Sequence, residues 1–344
     1  MVRSWLEGSR ETWRAVGFGL ILLILLVVVG RLLIPGFSSV RNLMTILTLA
    51  VLLFLPSIGQ TFVIISGGGG VDLSVGAIMS LAEVVAAQLI DGHNRAVLPA
   101  GVFVLALGGL VGLINAVGIW YLDIPPLVMT LGMAGIADGA ALVYTNGVPG
   151  GAASSVLQFI GTGSVVGVPV LILVGVAALI VSQLILSRTG YGRMLRLVGT
   201  NRSSAQAARI PVGAIIIATY VLSGIISAFA GMILLGYTMT SYLDAGSQYQ
   251  LTSIAAVVVG GTPLLGGDGG IGSTALGALV ITLINSIVVS LHIGSGAQEL
   301  VDGAILLLVL VVYGVFRSGS FSAQWIRGVW ASLRLPKTAK GESP

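Results

Sequence analysis

No cysteine occurs anywhere in the 344 residues. Disulfides, thiolate metal sites and cysteine nucleophiles are excluded with it. Charge is almost as scarce: 8% of the residues are Asp, Glu, Lys or Arg, against about 25% in an ordinary soluble domain. So few charges cannot keep a soluble surface wet. With 56% hydrophobic residues and a mean hydropathy of +1.06, the chain reads as membrane-embedded. Several catalytic signatures are absent as well. There is no Walker-type GxxxxGKS or GxxxxGKT loop, no HExxH and no GxSxG, so nucleotide phosphates, a zinc helix and a serine-hydrolase elbow are not expected. His93 and His292 fall in predicted outer loops and read as solvated. No metal or cofactor is expected, and no catalytic residue.

Lysine is nearly missing, with only Lys337 and Lys340, yet the net charge is +4. A nucleic-acid partner would need a basic stripe with aromatics on a folded face. Here the arginines cluster between hydrophobic stretches, which suits orientation in a membrane and argues against nucleic acid. Glycine reaches 50 residues without a collagen period, and close helix packing in lipid explains it.

A spanning helix needs about 20 apolar residues. Apolar stretches lie near 17–34, 43–65, 73–90, 97–121, 126–145, 167–187, 213–236, 251–265, 271–291 and 298–316. The expected fold is an all-α polytopic integral membrane protein of about ten transmembrane helices. The stretch 251–265 is short enough to be broken or tilted. With the N-terminus placed in the cytoplasm, thirteen of the 16 basic residues fall on the cytoplasmic side, and only Arg31, Arg41 and Arg95 fall outside. The positive-inside rule therefore supports a multi-pass chain with both termini cytoplasmic. The organisation expected is a cytoplasmic segment 1–16, a membrane domain 17–316 with a cytoplasmic loop 188–210, and a basic tail 317–344. Trp5 and Trp13 suit an interfacial segment in contact with lipid. The first apolar run lacks an A-x-A-like cleavage site and reads as an uncleaved helix.

Two segments do not look like plain helices. Ser66 is followed by Gly67, Gly68, Gly69 and Gly70 and then Val71, Asp72, Leu73 and Ser74. Four glycines make a poor helix interior, and Asp72 and Ser74 suit the cap or first turn of the next helix. Such a break either lines a pathway through the membrane or forms a tight turn at its surface. A similar interruption, Gly260-Gly261-Thr262-Pro263 then Gly266-Gly267-Asp268-Gly269-Gly270, lies in the second half. The pair suggests two weakly similar halves, as in transporters built around a central pathway. Glu83 lies eleven residues after Asp72, nearly three whole helical turns, so both carboxyls are expected on one helix face about 16 Å apart. Together with Asp138 they are the intramembrane carboxyls that an ion-coupled transporter would use. Gly108 with Gly112, and Ser273 with Gly277, are small pairs at helix-packing spacing. The loop 188–210 carries five arginines and no acid. Its glycines permit turns, and a short helix is expected after Asn201.

At these residues the chain resembles the membrane permease subunit of bacterial ABC importers for simple sugars, of the ribose, xylose and galactofuranose type. The resemblance is carried by GGGGVDLSVGAIMSL at 67–81, IPPLVMTLGMAGIA at 124–137, GYGRMLRLVGTNRSSAQAARIPV at 190–212 and AAVVVGGTPLLGGDGGIGSTALGALV at 255–280. It implies a permease of the bacterial inner (plasma) membrane that works as a homo- or heterodimer with a second permease subunit. Separate ATP-binding cassette ATPase subunits would hydrolyse ATP, and a periplasmic or lipid-tethered sugar-binding protein would deliver a monosaccharide. The chain itself would do no covalent chemistry. The loop would carry the coupling helix, with Gly190, Gly192, Arg193, Gly199, Asn201, Ala205 and Arg209 as coupling residues. Ser203 stands where the family has an acid, and Arg209 where it has a glycine. Asp138 and Asp268 stand at positions that are often basic, or basic or small. Sugar hydroxyls need polar partners, so Gln60, Gly68, Gly69, Asp72, Ser74, Asn115 and Thr130 are expected along the substrate pathway. The alternative is an ion-coupled secondary transporter using the intramembrane carboxylates.

Overall fold

The computed structural model describes residues 2–291 together with Gly296, Leu300, Gly303, Ala304 and Leu307. The expected span at 298–316 lies outside the described residues apart from those positions. His292, the tail 317–344 and the side chains of Trp5 and Trp13 lie outside them too.

Twelve helices are described: α1 (Val2–Leu33), α2 (Val40–Ile65), α3 (Val75–Ile90), α4 (Val97–Tyr121), α5 (Pro126–Thr145), α6 (Ser155–Thr162), α7 (Val170–Arg188), α8 (Gly190–Thr200), α9 (Arg202–Ala207), α10 (Val212–Thr238), α11 (Ser247–Val259) and α12 (Ile271–Ser290). A 3-10 turn, Asn94–Ala96, leads into α4, and a small antiparallel hairpin of β1 (Ser164–Val165) and β2 (Val168–Pro169) precedes α7. Among the described residues, six helices are long and apolar enough to cross a membrane: α2, α4 with its 3-10 turn, α5, α7, α10 and α12. At 1.5 Å per residue, α3 and α11 are shorter than a hydrocarbon core of about 30 Å. Each is joined to one of the glycine breaks.

Helix α2 is the centre of the bundle. Its segment Phe62-Val63-Ile64-Ile65 is fully buried, and α10, α11 and α12 pack around it. Helix α1 packs on α12, where Leu23, Leu26 and Val27 meet Leu283 and Ile287. In lipid, apolar side chains gain little by meeting one another, so helices associate where small residues let backbones touch. On α4, a Cβ at Gly108 would overlap the Gly224 carbonyl of α10, and one at Gly112 would overlap the Tyr220 carbonyl. A Cβ at Gly277 of α12 would overlap the Ala256 carbonyl of α11. The outward faces of α5 and α7 expose Leu131, Ile136, Val143, Val176, Ile180 and Val181, as lipid-facing surfaces do.

The connections sort to two ends. At one end the Gly267 amide donates to the Ile65 carbonyl at 2.9 Å, and Arg202 donates to the Gly67 carbonyl at 3.1 Å. The segments 66–72, 188–210 and 266–270 therefore meet. At the other end the Gly92 amide donates to the Ala152 carbonyl at 3.0 Å, and the Ala153 amide to the Met239 carbonyl at 3.0 Å.

Two local expectations are corrected. Residues 190–200 are helix rather than turns. Thr189 Oγ1 accepts from the Gly192 amide at 3.2 Å, and the amphipathic run buries Leu195 and Val198 while Arg193 and Leu197 face out. Asp72 and Glu83 do not share a helix, because α3 begins only at Val75. The glycine run before it has too little helix propensity to extend α3 back to Asp72.

Candidate functional site

The first break folds back on itself because Gly67, Gly68 and Gly69 all take left-handed backbone angles (φ +69°, +63° and +73°). L-residues with a Cβ rarely adopt three such conformations in a row. After the turn, Asp72 is drawn back into the bundle. Its Oδ1 accepts from the Ser74 amide at 2.9 Å and from Ser74 Oγ at 2.6 Å. Its Oδ2 accepts from Ser223 Oγ on α10 at 2.8 Å. Asn115 Nδ2 on α4 donates to Ser74 Oγ at 2.9 Å. With its amide oriented by these partners, Gln60 on α2 donates to the Asp72 carbonyl at 3.1 Å and accepts from the Asp72 amide at 3.3 Å. Thr130 Oγ1 on α5 accepts from the Leu73 amide at 3.0 Å.

Five sequence-selected residues thus converge on one hub: Gln60, Asp72, Ser74, Asn115 and Thr130, all fully buried. A buried carboxyl without such donors would be costly; here hydroxyls and an amide satisfy it. The hub joins α2, the break, α4, α5 and α10. Gly68 and Gly69 stand apart from it, exposed on the turn beside Arg202.

Ser223 was missed by the sequence reading, as was Tyr220, whose buried hydroxyl lies near Asp72 without a hydrogen-bond partner among the described residues. The available signal was the four-residue spacing of Thr219, Ser223 and Ser227, a polar stripe on one face of an apolar helix. Glu83 belongs to a separate place, accepting from Thr238 Oγ1 at 3.0 Å. A cleft of about 820 Å³ opens at the start of α2, lined by Arg41, Thr45, Thr48, Thr162 and Tyr237 among others. It contains none of the selected residues.

The basic loop forms the second part of the site. Asn201 Oδ1 caps α9 by accepting from the Ser204 amide at 2.9 Å, and Ala205 is the buried residue of α9. Tyr191 Oη bonds Thr219 Oγ1 at 2.8 Å, tying α8 to α10, and burial pushes the Tyr191 hydroxyl up to about 12. Gly192 and Gly199 sit where a Cβ would strike backbone: the Leu186 carbonyl for Gly192, and the Ile65 carbonyl and Gly267 amide for Gly199. Gly190, Arg193 and Arg209 are exposed. Arg209 holds a left-handed conformation (φ +59°), which gives a physical reason for a glycine at that position in the resembled family. Arg196 Nη1 donates to Asp268 Oδ1 at 2.9 Å and Nη2 to the Gly269 carbonyl at 2.8 Å.

Apolar helices, two glycine breaks that meet, and a basic helical hairpin lying on both define a polytopic membrane protein organised around paired helix breaks. Residues 42–311 match the family described as branched-chain amino acid transport system / permease component, and the chain belongs to it. It is 34% identical over 298 residues to the ribose import permease protein RbsC of Haemophilus influenzae, covering 85% of this chain and 90% of that one. It is 31% identical over 319 residues to RbsC of Escherichia coli, covering 91% and 98%. It is also 31% identical over 299 residues to the autoinducer 2 import system permease protein LsrC of Escherichia coli, covering 85% and 86%. No solved structure gives a significant match.

Proposed function

We propose that the chain is the permease subunit of an ATP-driven importer in the bacterial inner membrane, carrying a monosaccharide or a similarly small polyhydroxylated solute by alternating access. The observation that carries this reading is the meeting of the basic hairpin α8–α9 with both breaks. A partner pressing on that hairpin reaches the backbone at the ends of α2 and α11 and the starts of α3 and α12. Likeness to RbsC and LsrC relatives over most of the chain supports a small hydroxylated substrate. Separate ATP-binding cassette subunits dock on the hairpin face through exposed residues such as Arg193. A substrate-binding protein docks at the opposite end, and a second permease subunit completes the pathway. Ten crossings are reached when α1, α3, α11 and the segment 298–316 are added to the six full-length helices. The termini and the hairpin then lie in the cytoplasm, in keeping with the arginine distribution.

In the closed arrangement, Gln60, Asp72, Ser74, Asn115 and Thr130 hold the first break against α4, α5 and α10. They border the pathway when those helices separate, which frees donors and acceptors for sugar hydroxyls. The ion-coupled reading has no observation in its favour. The test is reconstitution of the chain with its co-purifying ATPase and binding protein in liposomes, screened with ribose and other pentoses and hexoses. Uptake that requires ATP supports the proposal. Uptake by the chain alone under an ion gradient overturns it.

A further inference from the structure

Hairpin α8–α9 holds the two breaks through two arginines. Arg196, in the middle of α8, grips the second break with both terminal nitrogens, one on Asp268 Oδ1 at 2.9 Å and one on the Gly269 carbonyl at 2.8 Å. The same Asp268 Oδ1 accepts from the Gly269 amide at 2.7 Å, so the carboxylate fixes the turn that it presents to Arg196. Arg202, at the start of α9, holds the first break through the Gly67 carbonyl at 3.1 Å. Between the two arginines, Gly199 lies so close to the Ile65 carbonyl and to Gly267 that no side chain fits. Thr200 packs on Gly267. Asp268 leads within three residues into α12, and Gly67 leads through the turn to Asp72 and α3.

We infer that Arg196 and Asp268 are a positioning pair that makes α12 follow any displacement of α8–α9. A fork onto a carboxylate and a carbonyl fixes orientation as well as distance, which a single point contact does not. An exposed ion pair alone contributes little to stability. The side chains of Arg196 and Asp268 are 33% and 54% exposed, so the pair is better suited to transmitting movement than to holding the fold. This inference rests on the importer reading for the source of the movement, and on the geometry alone for the linkage.

The absence of cysteine makes the chain a ready background for paired spin labels. Labels at Gln206→Cys on α9 and Gly272→Cys at the start of α12 occupy exposed positions, and their separation is read by double electron–electron resonance. In the chain alone in lipid nanodiscs, the parent gives one narrow distance. Arg196→Ala broadens it and Asp268→Asn does the same, with the folded yield unchanged. In the complex assembled with the cassette ATPase, adding ATP moves both labels together in the parent. In Arg196→Ala the distance changes on adding ATP, and uptake per ATP hydrolysed, measured with whichever sugar the parent complex imports under ATP, falls about tenfold, as for loss of a contact in one coupled network. A distribution in Arg196→Ala identical to that of the parent in nanodiscs overturns the linkage. A parent chain that assembles with no cassette ATPase overturns the importer reading instead and leaves the nanodisc result to decide the pair.

Discussion

The Gly267 amide donates to the Ile65 carbonyl at 2.9 Å, so a residue of the second break satisfies a terminal carbonyl of α2, the helix that enters the first. Carbonyls at a helix C-terminus have no partner within the helix and must find one elsewhere. Here the partner comes from 202 residues further along the chain. The two interruptions therefore form one junction, and Gly199 of the hairpin closes it.

The junction sets the first prediction. At Gly199 a Cβ would meet backbone atoms of Ile65 and Gly267, which cannot turn away as a side chain could. Gly199→Ala is expected to destabilise the protein by about 1–3 kcal/mol, the usual range for overpacking, and to abolish uptake. Gly190, at the start of the same helix, has open space around it, and Gly190→Ala should leave the melting temperature in detergent unchanged or slightly raised. Equal melting temperatures for the two variants would remove the close-packing account.

Ser223 gives the second. Its hydroxyl is the donor recorded on Asp72 Oδ2, and removal leaves a buried carboxylate oxygen without it. Ser223→Ala should cost about 1–3 kcal/mol, the penalty for an unsatisfied buried polar group. Ser227, one turn on, donates only to the Ser223 carbonyl within its own helix at 2.8 Å, and Ser227→Ala should be nearly silent. Denaturant unfolding in mixed micelles, with helical content as the signal, separates the two.

Most of the fold was legible because it rests on hydrophobicity and on glycine. The apolar runs located α2, α4, α5, α7, α10 and α12 to within a few residues, and the small pairs Gly108/Gly112 and Ser273/Gly277 marked real helix contacts. Five of the residues selected for the pathway meet in one buried hub, because polar groups inside apolar spans must seek one another. The partners on α10 were not found. Serine and threonine so often bond back to their own helix, as Thr219 does at 2.7 Å, that Ser223 did not stand out. The hairpin was misread at 190–200 because glycine propensity was weighed without the Thr189 cap and the buried face of Leu195 and Val198. The grip of Arg196 and Arg202 on the breaks joins residues 72 and 135 positions apart, which no local pattern encodes.

Arg209 supplies the third prediction. It sits just beyond α9 at φ +59°, where a side chain costs about 1 kcal/mol relative to glycine. It is exposed, and no ion pair is recorded for it among the described residues. Arg209→Gly should therefore raise the melting temperature, with a gain of about 1 kcal/mol. A fall in stability would show that the guanidinium contributes more than the backbone strain removes.

The last prediction separates two reasons for glycine within one turn. Gly68 and Gly69 share the left-handed conformation, but a Cβ at Gly68 would strike the Arg202 guanidinium, whereas Gly69 faces open space. Asparagine tolerates left-handed angles better than other side chains. Gly69→Asn should therefore retain most uptake, while Gly68→Asn should displace Arg202 from the Gly67 carbonyl and lose uptake. If displacement of Arg202 is the cause, Gly68→Asn combined with Arg202→Ala should be no worse than Arg202→Ala alone, because both changes remove the same contact. If backbone strain is the cause, the two losses should multiply. Uptake by the four variants in liposomes, each corrected for inserted protein, decides between a turn shaped for its own backbone and a turn shaped to be held by the hairpin.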